Sequence, residues 1–341
     1  MMNKIIENDC RKILSQVNLG KIKGKKILVT GANGFLGQHI TAALSLANHE
    51  MNLGNTIEAT GLNAPKEILS SILKEHKNIF YHRVDLTKSF DLKGYDYIFH
   101  SAGYSQPAKF VNDYNGTTKI NIDATQRLLD MSPNATFIFF SSAEVYGDIP
   151  QEFIPVKENY NGNSPLHLPR SVYAESKRLG EALCAAYKRD KGSNIKIVRI
   201  SVTYGPGLPL DDKRVLSEFI KKALVEKNIK LLDGGKSTRT YGYIADSVAM
   251  ILFIAFYGKD FVYNVGGKDS LSILNLAKKI ARLCNVKYEI PANISKLAYI
   301  GKDPKIVRLN LSKIKKEMKK LKFTPFSKGL KNNMEWAKEQ L

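Results

Sequence analysis

The sequence predicts an α/β fold in which a doubly wound parallel sheet is joined to a smaller mixed α/β lobe. Short β-branched runs alternate with longer helical segments, an alternation typical of parallel sheets. A breaker-rich stretch, YGPGLPL, begins at Tyr204, and the pattern beyond it is mainly helical with short strands. Of the 341 residues, 43% are hydrophobic and 25% are charged, so a sizeable core can form without disulfides or metals.

Six strands and the helices between them account for the larger sheet. The strands are predicted at KILVT (26–30), TIEAT (56–60), IFYHRVDL (79–86), YDYIFHSAG (95–103), TFIFFSS (136–142) and IKIVRIS (195–201). Helices are predicted at about 36–46, 120–130 and 176–188. Ligands bind at the carboxyl ends of such strands, so functional residues should cluster at the strand exits.

The chain divides into a leader and two larger parts. Residues 1–24 carry apolar side chains at helix-like spacing, which predicts an amphipathic leader helix packed on the body or on a partner chain. Residues 25–204 form the predicted parallel-sheet domain. Residues 205–341 form mainly the smaller lobe, with short strands at IKLLD and FVYNVG, and some of its segments are expected to return to the first domain.

Cysteine and histidine spacing excludes several kinds of site. Cys10, Cys184 and Cys284 form no CxxC pair, which argues against a disulfide framework and a structural zinc site and favours a reducing, cytoplasmic compartment. The six histidines show neither H-x-H nor HExxH spacing, so no metal site is predicted. His100 ends a core strand and is expected to be a packed histidine.

Neither a membrane span nor a nucleic-acid partner is expected. The first twenty residues lack a signal-peptide core, and the longest apolar run, VAMILFIAFY, reaches about half the length of a span, so a buried helix is predicted there. The net charge of +20 would attract nucleic acid, anionic lipid or acidic small molecules alike. In the basic segment KIVRLNLSKIKKEMKKLKF, apolar residues recur at helical intervals, which predicts a helix with one solvated face.

A glycine-rich turn follows the first strand and opens a helix. Gly31, Gly34 and Gly37 have the G-x-x-G-x-x-G spacing of a dinucleotide-binding turn. Glycine permits the tight turn and lets the backbone approach a pyrophosphate, which then meets the free N–H groups of the helix start. The turn therefore predicts a Rossmann-type domain with a bound dinucleotide, and the expected cofactor contacts include Asn33, Phe35 and Leu36.

Further cofactor contacts are expected at the next strand exits. Asn63 stands where an acidic residue ordinarily holds the adenosine ribose, and no arginine stands beside it for a 2′-phosphate, so NAD is favoured over NADP. Asp85 and Leu86 are the expected neighbours of the adenine, with a strand cap as the alternative role of this pair. Ser101 and Ala102 follow the fourth strand and complete the predicted cofactor site.

A second group of residues predicts acid–base chemistry. Tyr173 and Lys177 lie four apart and share one helix face. An ammonium near a phenol, aided by a positive nicotinamide ring, would lower the pKa of the phenol and let it act as a base near neutrality. Ser142, delivered by the strand FIFFSS, could bond the same substrate oxygen.

These motifs together resemble the extended short-chain dehydrogenase/reductase family, in its nucleotide-sugar epimerase, dehydratase and decarboxylase branch. The resemblance rests on the glycine turn, SSAEVYG, YxxxK, YGPG and RTYGYIAD, and it runs from about residue 25 to 340. It implies a homodimeric enzyme whose NAD removes hydride from carbon 4 of a nucleoside-diphosphate sugar and later returns it. Tyr173 would then be the base, Lys177 would hold it ionised, and Ser142 would bond the developing ketone.

The residues around the catalytic strand indicate which reaction follows. Ala143 stands where the sugar 4,6-dehydratases carry an aspartate that protonates the departing hydroxyl, and Glu144, the next residue, could act as a base at the neighbouring carbon. Arg170, Arg214 and Arg239 match arginines of the branch and are the expected contacts for the diphosphate, the sugar or a carboxylate. PRSVYAESKR and LDDKRVLSEFI are similar to UDP-glucuronate decarboxylase segments in particular, whereas Ala143 and Val202 depart from the family pattern.

The expected function is therefore decarboxylation of UDP-glucuronate through a 4-keto sugar. A 4-epimerase is the alternative, since rotation of the keto sugar before hydride return uses the same three residues, and a 4,6-dehydratase follows it. A rival of another class is a non-catalytic dinucleotide sensor with a basic nucleic-acid-binding surface. That rival would predict loss of Ser142, Tyr173 or Lys177, and all three are present.

Overall fold

A computed structural model describes residues 2–291 and 305–341 of the chain. Its strands, in chain order, are β1 (Lys26–Thr30), β2 (Thr56–Gly61), β3 (Ile79–Arg83), β4 (Tyr97–His100), β5 (Thr136–Ser142), β6 (Ile195–Ile200), β7 (Val202–Tyr204), β8 (Asn228–Lys230), β9 (Thr238–Tyr243), β10 (Val262–Val265), β11 (Asp269–Ser272), β12 (Lys287–Glu289) and β13 (Ile306–Val307). Its helices are α1 (Lys4–Gln16), α2 (Phe35–Glu50), α3 (Glu67–Glu75), α4 (Pro107–Asn112), α5 (Tyr114–Lys119), α6 (Thr125–Met131), α7 (Ser171–Lys191), α8 (Val215–Lys221), α9 (Ile244–Tyr257), α10 (Ile273–Cys284), α11 (Ser312–Glu317) and α12 (Phe326–Glu339).

The larger sheet confirms the predicted α/β class. Seven parallel strands lie in the order β3-β2-β1-β4-β5-β6-β10. The order reverses between β1 and β4, and such a reversal opens a crevice at the carboxyl ends of the two strands. The smaller sheet is mixed, because β9 pairs antiparallel with β11 but parallel with β7 and β13.

Apolar side chains from both faces of the larger sheet enter separate core clusters. Ile27 and Val29 of β1 join a cluster with α1, α2 and α9, whereas Leu28 joins the opposite one with α6 and α7. This arrangement explains why the strands read as continuous apolar runs, since a parallel sheet is covered on both sides. The apolar run 248–257 lies within α9, a buried helix as predicted. Within residues 2–291 and 305–341, no helix combines the length and apolarity that crossing a membrane would require.

Three predicted segments differ from the structure. FVYNVG, assigned to the smaller lobe, supplies β10 of the larger sheet, which pairs with β6. The third strand ends at Arg83 rather than at residue 86. The basic segment 305–323 is only partly helical: Ile306 and Val307 pair with β9, and α11 covers about one and a half turns after them. In that segment, pairing with a distant strand outweighs the local helical periodicity.

The leader forms α1, which packs against α2 and α9 of the same chain. Polar contacts also join it to β9, α9 and α12. Tyr243 donates to both oxygens of the buried Asp9 carboxyl at 2.9 and 2.8 Å. Lys12 forms an ion pair with Asp246 of α9, and Asn3 donates to Glu339 at 2.8 Å. Of the two packing sites predicted for the leader, the body of the same chain accommodates it.

Candidate active site

A cavity of about 540 Å³ lies between the carboxyl ends of the larger sheet and the smaller sheet. It brings together all the predicted catalytic residues, all three predicted substrate arginines and part of the predicted cofactor site. These lining residues are Gly34, Phe35, Leu36, Gly37, Ser101, Ala102, Ser142, Glu144, Arg170, Tyr173, Lys177, Arg214 and Arg239. Gly31, Asn33, Asn63, Asp85 and Leu86, the other residues predicted to contact the cofactor, are not among the residues that line it.

The glycine turn has the shape that a pyrophosphate requires. Gly31 adopts φ +66°, and a Cβ there would lie 2.6 Å from the Cα of Ala102. A Cβ at Gly37 would collide with the carbonyl of Gly31 and lie 2.9 Å from the Cα of Ala32. No side chain caps α2 at Gly34, so the N–H groups of the first turn can receive an anion. The turn therefore fits a dinucleotide, and its closest packing is at Gly31 and Gly37.

Asn33 joins two loops at the predicted adenosine end. Its amide nitrogen donates to the carbonyls of Asn63 and Ala64 at 3.0 and 2.9 Å and to the hydroxyl of Tyr81 at 2.8 Å. Its oxygen accepts from the backbone N–H of Lys66 at 3.0 Å. This side chain shapes the turn in which Asn63 lies. Direct contacts from Asn33 and Asn63 to the cofactor stay predictions.

Asp85 and Leu86 lie beyond the end of β3. Asp85 accepts from the backbone and the hydroxyl of Thr87 at 3.0 and 2.7 Å, and the Thr87 hydroxyl bond is the chief reason why the pKa of this carboxyl lies below its usual value. Leu86 is buried in the core cluster beside α6. The alternative role as a cap thus has direct contacts, and adenine binding by this pair stays a prediction.

Tyr173 in the first turn of α7 reaches Ser142 at the end of β5. Ser142 accepts from the backbone N–H of Glu144 at 3.2 Å, and its hydroxyl lies near enough to lower the pKa of Tyr173. Burial raises the pKa of Tyr173 to about 12, and the charge of Glu144 adds to the rise. The Ser142 hydroxyl and the charges of Arg214 and Arg170 act in the opposite direction.

Lys177 lies one turn further along α7 and is almost fully buried. Its Nζ donates to the carbonyl of Phe140 at 2.7 Å, and burial lowers its pKa to about 7. We expected this ammonium to lower the pKa of Tyr173. Arg214 and Arg170 supply charge that lowers the pKa of Tyr173, burial outweighs them, and the effect of Lys177 stays a prediction. Near neutral pH, Lys177 is thus close to the midpoint of its own titration.

Two of the predicted substrate arginines, Arg170 and Arg214, are held by carboxylates. Arg170 donates to both oxygens of Glu144 at 3.1 Å, and this pair lies partly buried in the cavity wall. Arg214 forms a fork with Asp212, with bonds of 3.0 and 2.8 Å to its two oxygens. Burial alone would raise the pKa of Asp212, but the bonds and charge of Arg214 and the nearby Gln106 lower it overall. Both guanidiniums are therefore aimed before any substrate binds.

Sequence reasoning missed the loop that follows β4. Gln106 and Phe110 line the cavity, and the ring of Phe110 stacks on that of Tyr173. The segment carries no motif, but it leaves the carboxyl end of a central strand, and that position alone marks it as a place where ligands bind.

His100 is the packed residue that was expected. Its Nδ1 shares a hydrogen bond of 2.8 Å with the hydroxyl of Thr30. Burial, with the nearby charge of Lys177, lowers the pKa of this imidazole to about 3, which keeps it neutral. Across the described part of the chain, no cluster of three His, Cys, Asp or Glu residues could hold a metal ion.

Comparisons with known proteins point to one family. A model of the NAD dependent epimerase/dehydratase family matches residues 27–266. UDP-glucuronic acid decarboxylase 1 of Xenopus tropicalis is 28% identical over 319 residues, which cover 93% of this chain and 73% of that protein. UDP-glucuronic acid decarboxylase 6 of Arabidopsis thaliana is 31% identical over 270 residues, covering 78% of this chain and 76% of the relative.

Solved structures show the same fold. UDP-glucuronic acid 4-epimerase of Bacillus cereus, as a tyrosine-to-phenylalanine mutant in complex with NAD and a fluorinated UDP-sugar, superposes with a TM-score of 0.79 at 23% identity. That match covers 93% of this chain and 100% of the epimerase. The predicted family is thereby confirmed, and NAD is the cofactor that the glycine turn fits. The chain belongs to the NAD-dependent epimerase/dehydratase family and is an NAD-dependent enzyme of the extended short-chain dehydrogenase/reductase type.

Proposed function

We propose that this enzyme decarboxylates UDP-glucuronate through a transient 4-keto sugar. The observation that carries the proposal is Glu144, paired with Arg170 beside Ser142 and Tyr173 in one cavity. The decarboxylases named above support the choice of substrate. A neutral hexose would not require the pair of Glu144 and Arg170 beside the sugar.

The cofactor is assigned to the glycine turn and to Ser101 and Ala102 along the cavity wall. Bound NAD supplies the acceptor for the hydride that leaves carbon 4 and the donor that returns it, so the enzyme needs no second redox partner. Lys177 is buried in the cavity wall, and we assign the side of Tyr173 on which it lies to the cofactor.

Tyr173 takes the proton from the hydroxyl on carbon 4. Burial sets the pKa of Tyr173 at about 12. The phenol therefore needs positive charge nearby to ionise and act as the base, and Arg214 and Arg170 provide that charge. Ser142, which lines the same cavity beside the phenol, is placed to donate to the oxygen that becomes the ketone.

Loss of carbon dioxide then follows from the position of the ketone. The carboxylate on carbon 5 is β to the carbonyl at carbon 4. When the bond from carbon 5 to the carboxyl carbon breaks, its electron pair moves into the carbonyl and forms an enolate. Ser142 stabilises the enolate oxygen, and a proton returned to carbon 5 regenerates the ketone before reduction ends the cycle. We assign Glu144 to the exchange of that proton.

Charge on the substrate is matched by the arginines of the cavity. Arg214 and Arg239 lie on the smaller-lobe side, where a diphosphate would be held by bidentate contacts. Arg170 forms an ion pair with Glu144, and we assign this part of the cavity to the sugar. These assignments place the nucleotide across the smaller lobe and the sugar against α7.

The experiment is a product analysis with purified protein and UDP-glucuronate. Release of carbon dioxide with formation of a UDP-pentose is expected, and Glu144→Gln should slow this step more than it weakens binding. Glu152→Gln, at an exposed glutamate elsewhere on the surface, is the matched control.

Other products would identify the alternatives. A C4-inverted sugar without gas would show a 4-epimerase that uses the same Ser142, Tyr173 and Lys177. A 4-keto-6-deoxy product from dTDP-glucose would show a dehydratase, which Ala143 disfavours because it has no proton to donate. A salt-sensitive DNA retention assay tests the basic-surface sensor, for which we expect no specific retention.

We also propose that the enzyme is a cytoplasmic homodimer. One face of α7 carries Val172, Glu175 and Leu179. Val172 and Glu175 line an open groove together with Tyr114 and Leu166, and Leu179 extends the surface beside that groove. Tyr114, Leu166 and Leu179 are 57%, 74% and 53% exposed, an apolar area that a second copy would cover. Leu179→Glu should convert the dimer to a monomer, and light scattering measures this change in molar mass. The free cysteines fit a reducing compartment.

A further inference from the structure

Phe110 of α4 lies flat against the ring of Tyr173. The ring centroids are 4.5 Å apart and the planes differ by 13°. Phe110 is 2% exposed and lines the same cavity. We propose that Phe110 is a positioning residue for the base: its stacked ring fixes the phenol plane of Tyr173, so that the hydroxyl stays beside Ser142 and faces the substrate.

The backbone of Tyr173 is secured from another side. Its carbonyl accepts from the hydroxyl of Ser176 at 2.9 Å, and Ser176 in turn accepts from the amide of Asn121 at 2.9 Å. These contacts hold α7 but leave the two side-chain torsions of the tyrosine to be fixed by other groups. Ser142 lies near the hydroxyl end, and Phe110 covers the ring face. Removing the flat face should therefore loosen the ring without moving the helix.

Phe110 is itself held by its own backbone contacts. Its N–H donates to the carbonyl of Gln106 at 3.2 Å, and its carbonyl accepts from the hydroxyl of Thr117 at 3.4 Å. Asp113, at the end of α4, accepts from Tyr104 and from the N–H of Gly116, both at 2.8 Å. These bonds tie α4 to both the loop before it and the helix after it, so Phe110 has a rigid support.

The same short helix also reaches the substrate loop. Gln106, which precedes α4, lies near enough to Asp212 to lower the pKa of this carboxylate, and Asp212 in turn grips Arg214. One end of α4 thus contacts the support of a substrate arginine, and the other contacts the base. Through this stack, α4 connects the Tyr173 phenol to the loop around Arg214, to which we assign the nucleotide.

The inference rests on the proposed role of Tyr173, and the variants separate the two. Phe110→Leu keeps an apolar side chain but removes the flat face, whereas Phe110→Tyr retains it. With the NAD-loaded enzyme and UDP-glucuronate, Phe110→Leu should lower kcat about 10- to 100-fold with KM changed less than about 3-fold, since small misplacements of reacting groups have effects of this size. Phe110→Tyr should restore most of the rate.

The control is Phe153→Leu, because Phe153 also contacts a tyrosine ring but lies half-exposed outside the cavity. Unchanged kcat in Phe110→Leu, or equal losses in both leucine variants, would overturn the inference. Full turnover in Tyr173→Phe would instead overturn the proposed function and leave the stack untouched.

A second readout needs no substrate. In the NMR spectrum of a sample with labelled tyrosines, the ring signal of Tyr173 is identified among those of the 16 tyrosines by its loss in Tyr173→Phe. Protons over the face of a neighbouring ring are shielded, so Phe110→Leu should shift this signal downfield, and Phe110→Tyr should not. An unshifted signal in Phe110→Leu would show that the rings do not stack in solution.

Discussion

Asp9 on the leader helix should make the protein more stable in acid than in mild alkali. Its carboxyl is buried, and burial raises its pKa from 3.8 to about 7. The bond from Tyr243 and the charges of Lys12 and Lys328 oppose the rise, and the charge of Asp246 adds to it. Between these two pKa values the unfolded chain has lost the proton that the folded protein still holds. The free energy of unfolding therefore falls as the pH rises through this window.

The size of the effect follows from the shift. A difference between 3.8 and about 7 corresponds to about 4 kcal/mol, which is fully lost above the folded pKa. Asn cannot ionise, and its side-chain oxygen can still accept from Tyr243. Asp9→Asn should therefore raise the free energy of unfolding by about 2–4 kcal/mol at pH 8 and change it little at pH 4.

Urea denaturation at several pH values measures this directly. The single tryptophan, Trp336, lies buried in α12 beside the leader and reports unfolding by fluorescence. Asp91→Asn, at an exposed aspartate, is the control and should leave the pH dependence unchanged. If Asp9→Asn lowers stability at pH 8, or shows the same slope with pH as the parent, the reasoning about this carboxyl is wrong.

Three further changes probe the cavity. Gly37→Val places a side chain against the carbonyl of Gly31 and should abolish co-purification of NAD, measured by chromatography of the released cofactor. Tyr173→Phe should lower the rate of hydride transfer at least about 100-fold while the affinity for UDP-glucuronate, measured by calorimetry, stays within about 3-fold. Asp212→Asn removes the charge that aims Arg214 and should raise KM about 10-fold with a smaller effect on kcat; unchanged kinetics would contradict that role.

Much of the fold was predictable because its signals are local. Buried parallel strands such as β1 and β5 are apolar through their middle residues, and the glycine turn marks the first crossover. Sheet membership is not local, however. FVYNVG reads equally well as a strand of either sheet, and only its pairing with β6 places it. The basic segment near the end is only partly helical for a related reason, since β13 forms against a strand far away in the sequence.

For the site, too, local features were predictable from the sequence and long-range contacts were not. Tyr173 and Lys177 share a helix face, so their spacing alone brings them together. The contacts that tune them join distant segments: Phe110 meets Tyr173, and Arg170 meets Glu144. Nothing in the residues around position 110 signals an aromatic partner so far along the chain. Motif spacing therefore locates the chemistry, whereas packing determines how the groups are held.

The late position of β10 affects how the protein is made. The first six strands of the larger sheet are complete at Ile200, but the strand that covers β6 is not synthesised until Val265. A nascent chain of intermediate length therefore presents β6 as an apolar edge with unpaired backbone groups. Such edges recruit other strands, and domains at this stage of synthesis are prone to aggregate. Truncations or ribosome stalls between these two points should give insoluble protein, and the chaperone demand of this enzyme should be highest there.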